Sequence, residues 1–136
     1  MNIYLDIDGV LLANSNNAAA YADEFLTLIL KRCPDSTYWL TTHFWRGQDT
    51  TRKVLEPVLK PKTIELLGQI KPAYWEELKT EGIDFKRPFL WFDDDLISEE
   101  RQILEHYGAL ECFRLVDLAA DPLQLLDEID YLRSLG

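Results

Sequence analysis

The chain has 136 residues, 47% hydrophobic and 28% charged, a composition that suits one globular domain with its own core. No stretch approaches the roughly 18–20 continuous apolar residues of a membrane span. Asp6 and Asp8 interrupt the only early apolar run, so neither a membrane helix nor a signal peptide is expected. The formal net charge of −10 repels polyanions and speaks against extended nucleic-acid binding, while leaving room for a local cationic pocket around one phosphate.

Residues 2–8 read as a strand that runs into Asp6-Ile7-Asp8-Gly9-Val10. A regular strand would point Asp6 and Asp8 to one face, where two like charges repel unless a cation or a shared proton relieves them. Gly9 permits a sharp turn. The bland alternative is a strand end closed by an Asp-Gly turn. Asn14 to Asn17 is a polar loop, in which Asn14 and Asn16 serve as turn residues. Ala22, Phe25, Leu26, Ile29 and Leu30 recur at helical spacing within about 18–32, and Cys33-Pro34 ends that helix.

Thr37 to Thr41 reads as a strand, followed by a polar stretch from Thr42 to Asp49 and a helix over about 50–59. Ile64 to Leu67 suggests a short strand or turn, and Ala73 to Glu81 a helix stopped by Gly82. Phe89 to Phe92 is an apolar strand ending in Asp93-Asp94-Asp95. A helix follows from Ser98 to about Tyr107, then a strand from Cys112 to Val116 and an amphipathic helix from Pro122 to Leu135. Cys33 and Cys112 have no metal-type spacing, so two buried free thiols in a reducing cytoplasm are expected.

Strands alternating with helices predict an α/β fold: a single three-layer, Rossmann-like parallel sheet over residues 1–136, with helices on both faces. Ligands of such sheets bind outside the carboxyl ends of the strands. Three strand ends carry polar groups there: Asp6/Asp8, Thr41/Thr42 and Asp93/Asp94/Asp95. Their carboxylates form a hard oxygen set that suits magnesium, which keeps waters for a phosphate-bearing substrate. A carboxylate can attack phosphorus, and a hydroxyl and an ammonium would then hold the phosphoryl oxygens. Thr41 or Thr42 supplies the hydroxyl. Lys71 is the favoured ammonium, with Lys60, Lys62 and Lys79 as competitors. His43 and Arg46 are candidate substrate contacts, or else solvated while Phe44 and Trp45 pack inward. Trp75 is more readily a packing residue than a stacking platform.

Leu5-Asp6-Ile7-Asp8-Gly9-Val10 resembles the first motif of the haloacid dehalogenase (HAD) superfamily of phosphohydrolases. Leu40-Thr41 is similar to its second motif, Lys71 to its third, and Trp91-Phe92-Asp93-Asp94 to the double-aspartate form of its fourth. The resemblance implies that Asp6 is nucleophile and metal ligand, and that Asp8 is general acid/base with its main-chain carbonyl on the metal. It further implies that Thr41 binds a phosphoryl oxygen, Lys71 neutralises Asp6 and phosphate, Asp94 completes the magnesium site, and Asp93 is a second ligand or supports it from outside. About thirty residues separate Asp8 from Thr41, and a similar number Thr41 from Lys71, too few for the cap domain many members carry. Within that superfamily an open site implies a large phosphorylated substrate, or one covered by a partner chain. Two other classes stand beside this expectation. One is a non-catalytic module binding metal or a phosphorylated partner, against which the intact Asp6/Asp8 pair speaks. The other is a receiver-like phosphoacceptor, whose order of motifs fits less well.

Overall fold

The apolar run Asn2–Leu5 forms strand β1 at the centre of the molecule, with every residue buried. The computed structural model describes all 136 residues. After β1 come the hairpin strands β2 (Leu12–Asn14) and β3 (Asn17–Ala18), helix α1 (Ala22–Arg32) and strand β4 (Thr37–Trp39). A second hairpin, β5 (Phe44–Trp45) and β6 (Gln48–Asp49), leads to helices α2 (Thr51–Leu55) and α3 (Pro61–Leu66) and strand β7 (Lys71–Pro72). Then follow a 3-10 turn at Lys79–Gly82, strand β8 (Phe89–Asp93), helix α4 (Ser98–His106), strand β9 (Phe113–Leu115) and helix α5 (Gln124–Ser134).

The central sheet has five strands in the order β7-β4-β1-β8-β9, and every pairing is parallel. The chain moves outward from β1 through β4 to β7, then returns to the other side of β1 with β8. The crevice between β1 and β8 is therefore the point where the connections reverse direction, the place where open α/β sheets bind ligands.

Strand alternation divides the core in two. Ile3, Leu5, Trp39, Leu90 and Phe92 face one way and pack with α1, α3 and α5 residues such as Phe25, Ile29 and Ile129. Tyr4, Leu40, Phe89 and Trp91 face the other way, against Leu104 of α4 and Ala73 and Ile83 of the segment before β8. In α1, Asp23 and Glu24 lie in the first turn and Lys31 and Arg32 in the last, each charge favourable to the helix dipole.

Several local expectations give way to tertiary contacts. The expected helix over 73–81 does not form. The Glu81 carboxylate accepts the backbone N–H groups of Glu76, Glu77 and Leu78 at 3.2, 3.3 and 2.8 Å, which holds these residues in a loop. Only Lys79–Gly82 coils, as a 3-10 turn. The stretch expected as a strand or turn at 64–67 lies mostly in α3, begun by Pro61 and anchored where Asp23 accepts the Lys60 N–H and the Thr63 hydroxyl. The polar stretch 42–49 folds into the β5–β6 hairpin, whose turn places Arg46 (φ 51°) and Gly47 (φ 81°) in the left-handed region. Asn14 to Asn17 closes the β2–β3 hairpin through the Asn14 side chain, which accepts the Asn16 N–H at 2.9 Å. Cys33 is buried and Cys112 only half-buried, and both are free thiols. No helix is long and apolar enough to cross a membrane.

Phe92 is fully buried and meets Phe25 edge-on at 5.1 Å, joining β8 to α1. Phe92→Ala is expected to cost about 3–5 kcal/mol. Leu123→Ala, at a position 55% exposed, should stay within about 0.5 kcal/mol of the parent. Urea midpoints of the three proteins check this; equal midpoints would contradict the assignment of this layer as core.

Candidate functional site

β1 ends at Leu5, where its register pairs it with Phe92 of β8 and Trp39 of β4. The next residues on these three strands, Asp6, Asp93 and the Leu40-Thr41 pair, therefore emerge along one edge of the sheet. Asp6 follows the parity of Tyr4, and Asp93 that of Phe89 and Trp91, so both point to the face covered by the Lys79–Gly82 turn. Asp6 is 6% exposed and Asp93 1% exposed. Two nearly dry carboxylates on adjacent strands require a counter-charge.

Lys79 supplies it. Its Nζ lies 3.2 Å from Asp6 Oδ2 and 2.7 Å from Asp93 Oδ2, and only 15% of its side chain is exposed. Burial opposes the lysine charge, but the two carboxylates outweigh it and hold the Lys79 pKa above the ordinary value. Asp93 also accepts the Trp91 indole N–H at 3.2 Å and the Asp95 backbone N–H at 3.2 Å. Burial and the neighbouring Asp6 push the Asp93 carboxyl up to about 8, against the pull of Lys79. Asp6 Oδ1 accepts the Ile7 N–H at 2.8 Å.

Asp94 completes the group from the exposed side. Carboxylate oxygens of Asp6, Asp93 and Asp94 all lie within 4.8 Å of one another. Burial, opposed in part by a hydrogen bond from Asp93, raises the Asp94 pKa. Gly9 has φ +77°, and a Cβ built there would stand 2.6 Å from Asp94 Cγ, so only glycine lets Asp94 lie across this loop. The donor set is all oxygen and all carboxylate, with more negative charge than one ammonium balances. It fits a hard divalent cation.

The structure does not bring Lys71 to this group. Lys71 opens β7 at the sheet edge, and its Nζ donates to the Asp35 carbonyl at 3.0 Å. Asp35 precedes β4, so the Lys71 ammonium reaches toward the amino ends of the strands. Lys79, named in the sequence only as a competitor, holds the central place because the loop tied down by Glu81 delivers it there. Its backbone N–H is further held by Glu100 of α4, whose Oε2 accepts it at 2.8 Å.

Asp8 also departs from expectation. The strand stops before it, and Ile7 accepts the N–H groups of Val10, Leu11 and Leu12 at 3.2, 2.9 and 3.0 Å in a tight loop. Asp8 thereby leaves the line of Asp6 and lies exposed, with Oδ2 2.9 Å from His43 Nε2. His43 Nδ1 in turn lies 2.9 Å from Thr50 Oγ1. Thr41 is fully buried and its hydroxyl oxygen accepts the His43 N–H at 3.2 Å, whereas Thr42 is exposed. Arg46 stacks over Trp45 at 4.3 Å. Trp45 donates its indole N–H to the Glu76 carbonyl and tilts against Trp75 at 5.8 Å. Trp75 also lies 5.9 Å from Lys79 Nζ. A cavity of about 270 Å³ opens beside these groups, lined by Trp75, Lys79, Asp93, Asp94 and Glu100 among others. The sequence gives no site role to Thr50 or Glu100: Thr50 meets His43 only once the β5–β6 hairpin forms, and Glu100 meets Lys79 from 21 residues away.

Comparison with protein-family models, with curated proteins and with solved structures finds no match to this chain.

Burial raises the Glu100 pKa above its ordinary 4.5, against the pull of the Lys79 backbone N–H. The folded protein thus binds this proton more tightly than the unfolded chain. Its stability contribution is full below about pH 4.5 and falls as pH rises through the folded value. Glu100→Gln retains an oxygen acceptor for Lys79 without the buried charge. The variant should melt above the parent at pH 7.5, and the gap should close toward pH 4.5. A gap that widened on acidification would reverse the sign assigned to this group.

Proposed function

We propose that this chain is a magnesium-dependent phosphatase of the HAD-like type, working through an aspartyl-phosphate on Asp6. The observation that supports it most is the position of Asp6 at the β1/β8 reversal, sharing the Lys79 ammonium with Asp93 while Asp94 stands alongside. The motif lysine in this reading is Lys79 in place of Lys71. Asp6, Asp94 and the Asp8 main-chain carbonyl would hold magnesium, with Asp93 supporting them from behind. When bound, the metal would offset charge on the phosphoryl oxygens and orient them for in-line attack.

The protein's own groups carry the rest. Asp6 Oδ attacks phosphorus; the ester P–O bond breaks and its electron pair passes to the leaving oxygen, which takes a proton from Asp8. Asp8 then removes a proton from water, the oxygen attacks phosphorus, and the Asp6–phosphorus bond breaks to release phosphate. Lys79 stabilises negative charge beside Asp6 throughout, and Thr41 binds a phosphoryl oxygen. Thr42 is its fallback.

The stretches after β1 and β4 are occupied by two short hairpins and by helices that pack on the sheet. In this reading the site is capless, and its substrate is a phosphorylated molecule large enough to find contacts beyond the phosphate. Arg46, Trp45 and Tyr74 line a neighbouring cavity of about 330 Å³ that could receive part of it. The net charge of −10 disfavours a long nucleic-acid groove. Two free thiols suit a reducing cytoplasm.

Hydrolysis of an aryl phosphate tests this reading. Activity should require added magnesium, vanish in chelator, and fall to background in Asp6→Asn with the far-UV spectrum unchanged. Lys79→Met should lose on the order of 10²-fold in kcat, whereas Lys71→Met should retain parental turnover. Turnover by Asp6→Asn at the parental rate would refute covalent catalysis there. Absence of hydrolysis alongside measurable magnesium binding would favour a non-catalytic binding module.

A further inference from the structure

The β5–β6 hairpin carries a polar relay that the phosphatase reading does not use. Asp8 is the proposed acid, yet its side chain is 63% exposed and has a single protein partner, His43 Nε2 at 2.9 Å from Oδ2. An exposed carboxyl on a loop samples several rotamers unless a second contact selects one. His43 is suited to that selection because it is itself fixed. Its side chain is 20% exposed, its backbone N–H donates to Thr41 Oγ1, and its ring Nδ1 lies 2.9 Å from Thr50 Oγ1. The hairpin holding these residues is closed by the Thr50 N–H, which donates to the His43 carbonyl at 2.7 Å.

Resting on the phosphatase reading, we infer that His43 is a positioning residue that aims Asp8 at the leaving group, with Thr50 setting the imidazole tautomer. The Thr50 hydroxyl lies 2.9 Å from Nδ1 and 3.3 Å from the His43 carbonyl, so its proton goes to the nearer acceptor, the ring nitrogen. Nε2 then carries the ring hydrogen and donates it to Asp8 Oδ2. Oδ1 is left free to hold the catalytic proton. As the P–O bond breaks, its electron pair passes to the leaving oxygen, which takes the proton from Oδ1. Asp8 becomes a carboxylate and keeps the hydrogen bond from His43, and no proton leaves the imidazole. Through the same histidine the hairpin ties this acid to Thr41, so that acid and phosphoryl-binding hydroxyl move as one unit.

Proton donation matters for a poor leaving group and little for a good one, which separates aiming of the acid from general support of the fold. With phenyl phosphate, His43→Ala should lose on the order of 10²-fold in kcat/KM, while kcat/KM for 2,4-dinitrophenyl phosphate should stay on the order of the parent's, because this constant reports transfer to Asp6 and not the later attack of water, which needs Asp8 for both esters. His43→Gln, whose amide N–H can replace Nε2–H, should recover part of the loss. Thr50→Val should show the same leaving-group selectivity, and its effect should disappear in a His43→Ala background. Nitrogen-15 NMR of the imidazole, assigned by its loss in His43→Gln, should show the Nε2–H tautomer in the parent and a mixture in Thr50→Val. Equal losses on both esters, an undiminished Thr50→Val effect without His43, or an Nδ1–H tautomer in the parent would each overturn the proposal alone. A parent protein inert toward both esters in magnesium would overturn the phosphatase reading and this proposal with it.

Discussion

Two carboxylates on neighbouring strands, both nearly sealed from water, share one ammonium group, and the architecture on that face of the sheet answers to this constraint. Asp6 and Asp93 are held about the Lys79 Nζ at 3.2 and 2.7 Å. Burial and the neighbouring Asp6 both oppose charge on Asp93, and Lys79 opposes them. The cost of the arrangement survives as the raised pKa of Asp93. A site of this kind retains a demand for more positive charge, which a divalent cation beside Asp94 would meet.

The polypeptide spends several elements on delivering that one lysine. Glu81 gathers three backbone N–H groups from residues 76–78 and prevents the segment from coiling. Glu100, buried in the first turn of α4, takes the Lys79 N–H. Trp91 gives its indole N–H to Asp93 on the same strand, β8. Of these contacts only the one from Glu100 spans a long stretch of chain; the Glu81 and Trp91 contacts are local, and the pairing of β8 with β1 then sets Asp6 beside Asp93. The same region holds two buried polar atoms without partners, Trp75 Nε1 and Thr80 Oγ1, on either side of Lys79 in the chain. Unsatisfied buried groups concentrate where a structure serves something other than its own stability.

The acid/base candidate is managed differently. Asp8 is exposed, lies outside the Lys79 cluster, and depends on a hairpin contributed after β4. The two carboxylates of one short motif thus occupy opposite environments: one dry and ion-paired, one wet and hydrogen-bonded. A nucleophile gains from the first, where its charge is fixed in place. A group that must exchange protons with a leaving group and with water gains from the second.

Much of the fold was legible in the chain because it rests on local periodicity. The apolar strands at 2–5 and 89–93, the α1 pattern from Ala22 to Leu30 and the closing amphipathic helix need no knowledge of distant residues. The carboxylates of the site were legible too, since a strand ending in Asp states its own place in a parallel sheet. Local periodicity misled where a side chain captured the backbone: Ala73 to Glu81 reads as helical, but the Glu81 carboxylate takes the N–H groups of residues 76–78 and holds them in a loop. The same loop decides the lysine. The sequence favours Lys71, which opens the segment before the acidic strand, but the folded loop points Lys79 at Asp6 and Asp93. What the sequence by itself determined was the chemistry available at the strand ends. Tertiary structure alone decided which ammonium answers Asp6, and that Asp8 turns to His43, because both depend on a loop and a hairpin whose paths are set by contacts across the fold.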